Sequence, residues 1–93
     1  MISEQMDLED EIANEESILL YYNLSLESIE IFNPNNLKIE AVALYNTVGQ
    51  EILNIELNTT KALNNIAVNV ETGVYIVELK TDIGVITKKI IIN

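Results

Sequence analysis

The chain lacks cysteine, histidine, arginine and tryptophan, and its 93 residues include one proline and three glycines. Without cysteine it cannot be a disulfide-stapled scaffold or a thiolate metal site. Histidine and cysteine supply the usual general base and thiol nucleophile, and arginine the bidentate clamp for anions. No apolar run approaches the roughly 18 residues of a membrane-spanning helix. These absences predict a protein without catalytic residues, cofactor or metal site.

Serine and carboxylate chemistry is not excluded by composition alone. However, Ser17, Ser25 and Ser28 lie in no nucleophile-elbow pattern. Glu40 comes nearest to an acid with a raised pKa, and we expect it on an edge strand, pointing to water beside Lys38. We therefore predict that the protein is not an enzyme.

Isoleucine and valine are abundant, with 15 and 7 residues, and both fit pleated sheets well. A chain of this length forms one small domain. Short β-type runs alternate with turn residues, which predicts an all-β, immunoglobulin-like β-sandwich of about seven antiparallel strands. The predicted strands are residues 18–22, 29–32, 38–45, 51–57, 66–70, 74–81 and 85–92, with a polar loop from Asn58 to Asn65.

Alternation within the strands predicts which side chains face the core. In the sixth strand these are Tyr75, Val77 and Leu79, with the Tyr75 hydroxyl hydrogen-bonded at the rim. In the third strand the alternation slips, so we predict a β-bulge near Ala41. That bulge would bring three large apolar residues to one side: Ile39, Val42 and Leu44.

Turn chemistry predicts a final β-hairpin closed by Asp82-Ile83-Gly84, a type I turn with Gly84 at positive φ. Gly49 and Gly73 are expected in the same kind of turn conformation. The last predicted strand is expected at a sheet edge.

Negative charge is concentrated at the start of the chain. Residues 1–37 hold nine acidic residues and no lysine, whereas residues 38–93 hold six acidic residues and five lysines. We predict that residues 1–16 are an acidic linker, flexible or partly helical, or the end of an upstream domain, and that residues 17–93 form the sandwich. A calcium loop at Asp7, Glu9, Asp10 and Glu11 would lack its required glycine.

The N-terminal residues have no basic segment followed by an apolar one, so we expect any export signal to lie upstream in a longer protein. The net charge of −10 argues against a nucleic-acid partner.

Two sequence blocks occur about 25 residues apart. The first is Tyr45, Asn46, Gly49 and Gln50, and the second is Thr72-Gly73-x-Tyr75 followed by Gly84 and Lys88-Lys89. Together they resemble the type A C-terminal sorting domain of Bacteroidetes type IX (Por) secretion substrates, over roughly residues 18–93. Many members of that family carry Tyr-Pro-Asn-Pro near the start of the domain, where this chain has Phe32-Asn33-Pro34-Asn35.

The resemblance implies a secretion signal that directs an N-terminal cargo domain through the periplasm and across the outer membrane to the cell surface or medium. The implied partners are an outer-membrane shuttle and a sortase-like signal peptidase, which would cleave within about Glu11 to Ser17 and often joins the cargo to anionic lipopolysaccharide. The recognised strand would be residues 84–93. The candidate recognition residues are Gly73, Tyr75, Gly84, Lys88, Lys89, Ile90, Ile91, Ile92 and Asn93, and the structural turn is Tyr45, Asn46, Gly49 and Gln50.

Three alternatives stay open. Lys88 and Lys89 could simply protect an exposed edge from aggregation. The domain could be an adhesive or spacer module of a cell-surface protein, with contacts through the loop from Asn58 to Asn65. It could also form a homodimer through its edge strands.

Overall fold

The computed structural model describes residues 18–93, which form seven antiparallel strands and no helix. The predicted all-β class is therefore confirmed. The predicted linker over residues 1–16 lies outside the described residues. The strands are β1 (Leu19–Asn23), β2 (Ser28–Phe32), β3 (Ile39–Asn46), β4 (Glu51–Thr59), β5 (Leu63–Ala67), β6 (Gly73–Thr81) and β7 (Gly84–Ile92).

The strands form two sheets, with the orders β1-β2-β5 and β4-β3-β6-β7. A constant-type immunoglobulin domain places its fourth strand in the sheet of the first, second and fifth. Here β4 pairs with β3 instead, so three strands face four.

The core between the sheets is aliphatic apart from one tyrosine ring. Each fully buried Ile, Leu or Val contributes about 1.5–3 kcal/mol relative to exposure, and this burial takes the place of a disulfide and a buried tryptophan. The three residues of β6 that were predicted to face the core, Tyr75, Val77 and Leu79, are buried in it. The core residues are Ile18, Ile29, Ile31, Ile39, Val42, Leu44, Ile66, Val68, Tyr75, Val77, Leu79, Ile86, Ile90 and Ile92.

The predicted bulge in β3 is also confirmed. The register of β3 shifts between Ile39 and Ala41 against both of its neighbours. The shift keeps the large apolar residues on either side of it in the core. Glu40 is exposed at the bulge, but β3 is a central strand, so the expected edge position of Glu40 is wrong.

The fifth strand begins earlier than predicted, at Leu63 rather than Ile66. Its asparagines have low β-propensity, but pairing with β2 overrides that preference. Asn65 Nδ2 also donates to the carboxylate of Glu30 on β2, at 3.0 Å. Because β4 continues to Thr59, the long polar loop expected here is reduced to residues 60–62.

The larger sheet has one strand more than the smaller sheet. β1 lies against β7. The strand farthest from this contact is β4, at the other edge of the larger sheet. The core-facing residues of β4 are accordingly only half-buried: Leu53, Ile55 and Leu57.

Asn33, at the end of β2, is a fully buried polar residue. Its Nδ2 donates to the carbonyl oxygens of Leu37 at 2.8 Å and Lys61 at 3.3 Å, and its Oδ1 accepts from the Leu37 N–H at 3.1 Å. One side chain thus joins the β2–β3 connection to the β4–β5 connection.

We expect Asn33→Ala to lower the free energy of unfolding by about 3 kcal/mol, because it leaves buried backbone groups without partners. Urea denaturation measures the change. The exposed Asn69 provides the control, since Asn69→Ala should stay within about 0.5 kcal/mol of the parent. Equal effects of the two substitutions would contradict this role for Asn33.

Candidate functional site

The hairpin of β6 and β7 has a two-residue connection, Asp82 and Ile83. Gly84 has φ of +135°, so its predicted positive φ is confirmed. The Thr81 hydroxyl donates to the Gly84 carbonyl at 2.7 Å and accepts from the Ile83 N–H at 3.2 Å. This side chain therefore stabilises the turn that starts the last strand.

β7 is an edge strand, as predicted, because within residues 18–93 its ladder partner is β6 alone. The pair Thr81 and Gly84 closes the two-residue hairpin and is hydrogen-bonded, and such pairs alternate along an antiparallel ladder. The backbone N–H and C=O groups that point away from β6 are therefore those of Val85, Thr87, Lys89 and Ile91. A second strand could bind these groups.

The side chains of β7 divide between two faces. Ile86, Ile90 and Ile92 are buried in the core, whereas the outward set is exposed: Val85, Thr87, Lys89 and Ile91. Among the predicted recognition residues, Gly84, Lys89, Ile91 and Asn93 are thus accessible. Ile90 and Ile92 are buried and anchor β7 to the core, and Tyr75 is buried in the same way in β6.

Lys88 lies on the core-facing side of β7, opposite the buried Val77, and is half-buried. At an edge, its aliphatic stem can pack beside the core while the ammonium group reaches water. An inward-pointing charge of this kind opposes pairing of the edge with unselected strands.

Beside the terminal strand, the outer face of the sheet is partly apolar. Val74 is directly opposite Ile91 and Ile76 is opposite Lys89. The exposed fractions of Val74 and Ile91 are 40% and 61%. Val74 and Ile76 were not among the predicted recognition residues, although strand alternation places them on the face opposite Tyr75.

Tyr75 is buried, as predicted, and its hydroxyl donates to the backbone carbonyl of Glu71 at 2.6 Å. This bond, from a tyrosine near the start of the sixth strand to the backbone just upstream, is the tyrosine corner of immunoglobulin-like sandwiches. Gly73 has no positive φ, so that expectation is wrong. It begins β6, paired with Ile92, and a Cβ added there would lie 3.7 Å from the ring of Tyr75.

The first sequence block forms the turn between β3 and β4, as predicted. Asn46 organises it: its Oδ1 accepts from the N–H groups of Val48 at 3.1 Å and Gln50 at 2.9 Å. Gly49 has φ of +87°, as expected.

Tyr45 precedes this turn, and its hydroxyl donates to Glu78 Oε1 at 3.4 Å. Partial desolvation, followed by the negative charges of Glu78 and Glu51, raises the pKa of Tyr45 above its ordinary value. The pairing of β3 with β6 brings Glu78 to the ring, and the pairing of β3 with β4 brings Glu51.

The described part of the chain has no cluster of three carboxylates that could hold a metal ion. Among the same residues no helix could cross a membrane. The last hairpin presents an unpaired edge at β7 and a partly apolar outer face.

These features define a small immunoglobulin-like β-sandwich domain with an accessible terminal strand. The model of one protein family, the secretion system C-terminal sorting domain, matches residues 20–93. The chain belongs to this family, the sorting domains of type IX secretion. No curated protein matches the chain.

Membership confirms the resemblance in the two sequence blocks. The chain carries a type IX sorting signal, and such a domain implies an N-terminal cargo, recognition by the type IX machinery and secretion across the outer membrane. The family is not known to be catalytic.

We expect Tyr75→Phe to lower the free energy of unfolding by about 1 kcal/mol, because it removes the hydroxyl bond to Glu71 and keeps the ring. Tyr21→Phe, at an exposed ring, is the matched control and should have almost no effect. Equal losses in urea denaturation would mean that the corner bond contributes nothing.

For Tyr45 we expect an alkaline effect on stability. Folding raises the pKa of Tyr45, so the folded state resists ionisation of its hydroxyl. The stability linked to this shift is complete below the unfolded pKa of about 10. It is lost as pH rises through the folded pKa. The difference in unfolding free energy between the parent and Tyr45→Phe should therefore be constant below pH 10. Above pH 10 the parent should lose stability relative to Tyr45→Phe. A constant difference across this range would contradict the assignment.

Proposed function

We propose that this domain directs its cargo across the outer membrane by presenting β7 to an outer-membrane shuttle, and that a sortase-like signal peptidase then removes the domain. Family membership supports the sorting role. The observation that carries the finer proposal is the accessible edge of β7.

Recognition takes place by strand addition. The outward backbone groups of Val85, Thr87, Lys89 and Ile91 accept a strand of the shuttle, and these main-chain bonds supply affinity without depending on the cargo. The buried Ile86, Ile90 and Ile92 hold the strand in place, so the edge is already formed before the shuttle binds.

Side chains provide the register that backbone bonds lack. Lys89 lies on the outer face near the apolar pair of Val74 and Ile91, and Lys88 projects from the core side of the same edge. A matching partner strand offers carboxylates toward the two lysines and apolar side chains over Val74 and Ile91.

Cleavage falls upstream of the sandwich, within about Glu11 to Ser17. Ile18 is fully buried and β1 begins at Leu19, so a bond beyond Ser17 would require the sandwich to open. Peptidases act on extended, unpaired backbone, which the paired strands from Leu19 onward do not offer. In the last of the proposed steps, the released cargo is joined to anionic lipopolysaccharide.

The test is a reporter with a Sec signal, fused to residues 17–93 and expressed in a bacterium with type IX secretion. Thr87→Pro removes one outward N–H without touching the bonds to β6, and proline is tolerated at such edge positions. We expect at least about a 10-fold loss of surface reporter, while Thr87→Ala remains near the parent level.

Charge reversal examines the side-chain contribution. Lys89→Glu should reduce delivery of the reporter. Lys80→Glu should not, although Lys80 is an exposed lysine of β6 on the same outer face of the sheet. Circular dichroism of the purified variants establishes that each is folded. Normal delivery by folded Thr87→Pro would refute recognition by strand addition, and normal delivery by Lys89→Glu would remove that lysine from the contact.

A further inference from the structure

The second edge of the four-stranded sheet is β4, which lies at the far side from β7. Along each antiparallel ladder, hydrogen-bonded residue pairs alternate with pairs that are not hydrogen-bonded. Followed from β7 across β6 and β3, this alternation makes Leu53 and Ile55 the residues of β4 whose backbone groups bond to β3. The N–H and C=O groups of Asn54 and Glu56 therefore point outward. Beside them runs the half-buried apolar stripe of Leu53, Ile55 and Leu57, which lies at the margin of the core.

The sequence of β4 is close to symmetric about Ile55. In an antiparallel pair of two β4 strands centred on that residue, Ile55 is opposite Ile55, Leu53 is opposite Leu57, and Asn54 is opposite Glu56. Every apolar residue of the stripe then meets an apolar residue, and no two like charges are opposed. The outward groups of Asn54 and Glu56 form two hydrogen-bonded pairs across the dyad.

We infer that β4 is a self-association edge, at which a second copy of this chain adds its own β4 to give a continuous eight-stranded sheet. The half-buried stripes of the two copies meet along the new strand pair, which covers apolar surface that each copy alone leaves exposed. The interface is isologous, as closed dimers require. It leaves β7 free, at the opposite edge of each copy.

Neighbouring registers fit less well. A dyad on Asn54 places Leu57 opposite Glu51, and a dyad on Glu56 places that carboxylate opposite itself. β7 is a poor edge for the same purpose, because a dyad on Lys88 opposes two lysines. Complementarity thus selects β4 and the register centred on Ile55.

The dimer is expected to be weak. One strand pair and its side chains bury less than the roughly 1,200 Å² that marks the lower limit of standard interfaces. Each chain also carries a net charge of −10, so the copies repel and added salt strengthens their association.

Disulfide trapping tests the register in the full chain, which contains no cysteine. With Ile55→Cys the two thiols lie on the dyad at a non-hydrogen-bonded pair, where Cα atoms are about 4.5 Å apart and a disulfide fits. With Asn54→Cys the two Cα atoms are about 8 Å apart, beyond disulfide reach. We expect the cysteine at position 55 to give at least about 10-fold more covalent dimer on mild oxidation.

Sedimentation velocity up to about 1 mM provides the second measurement. The parent should show a dimer that grows with concentration and with salt. Ile55→Lys should stay monomeric, and Ile91→Lys, at the exposed face of β7, should dimerise as the parent does. A monomeric parent throughout, equal trapping at positions 54 and 55, or a dimer lost only with Ile91→Lys would each overturn the inference.

Discussion

Two sheets of unequal size packed face to face are the constraint on which the rest of this domain depends. An open sandwich cannot remove its edges as a closed barrel does, and edges with unpaired backbone groups invite further strands. Because β4 joins β3, four strands oppose three, and β1 lies against β7 at one side. At the opposite side β4 forms the other edge of the larger sheet, and its apolar residues are only half-buried. Both surfaces that distinguish the domain follow from this arrangement.

The two outer strands of the larger sheet differ in how they are protected. β7 carries a lysine on its core-facing side, which restricts its partners to strands that accommodate a cation. β4 carries carboxylates on its outer face only, and its inner side is apolar. One edge is therefore selective by charge, and the other is complementary to itself.

The last hairpin serves the folding of the domain as well as the proposed recognition. Ile86, Ile90 and Ile92 complete the core, while their neighbours on β7 face solvent, so removal of the strand would disrupt the sandwich itself. The Thr72-Gly73-x-Tyr75 block has a structural explanation of its own. Tyr75 ties the start of β6 to Glu71, and Gly73 lies beside the ring.

Local patterns in the chain were sufficient to determine the strand class, the final hairpin, the inward set of β6 and the bulge near Ala41, because each depends on alternation or turn chemistry among adjacent residues. They also identified the family. They misplaced the start of β5, since its asparagines belong to a strand only when β2 is beside them. The central position of β3 and the position of β4 at the far edge of the larger sheet were decided by tertiary structure. Each depends on which distant strand is the neighbour, and pairing across the fold is not encoded in the residues of one strand alone.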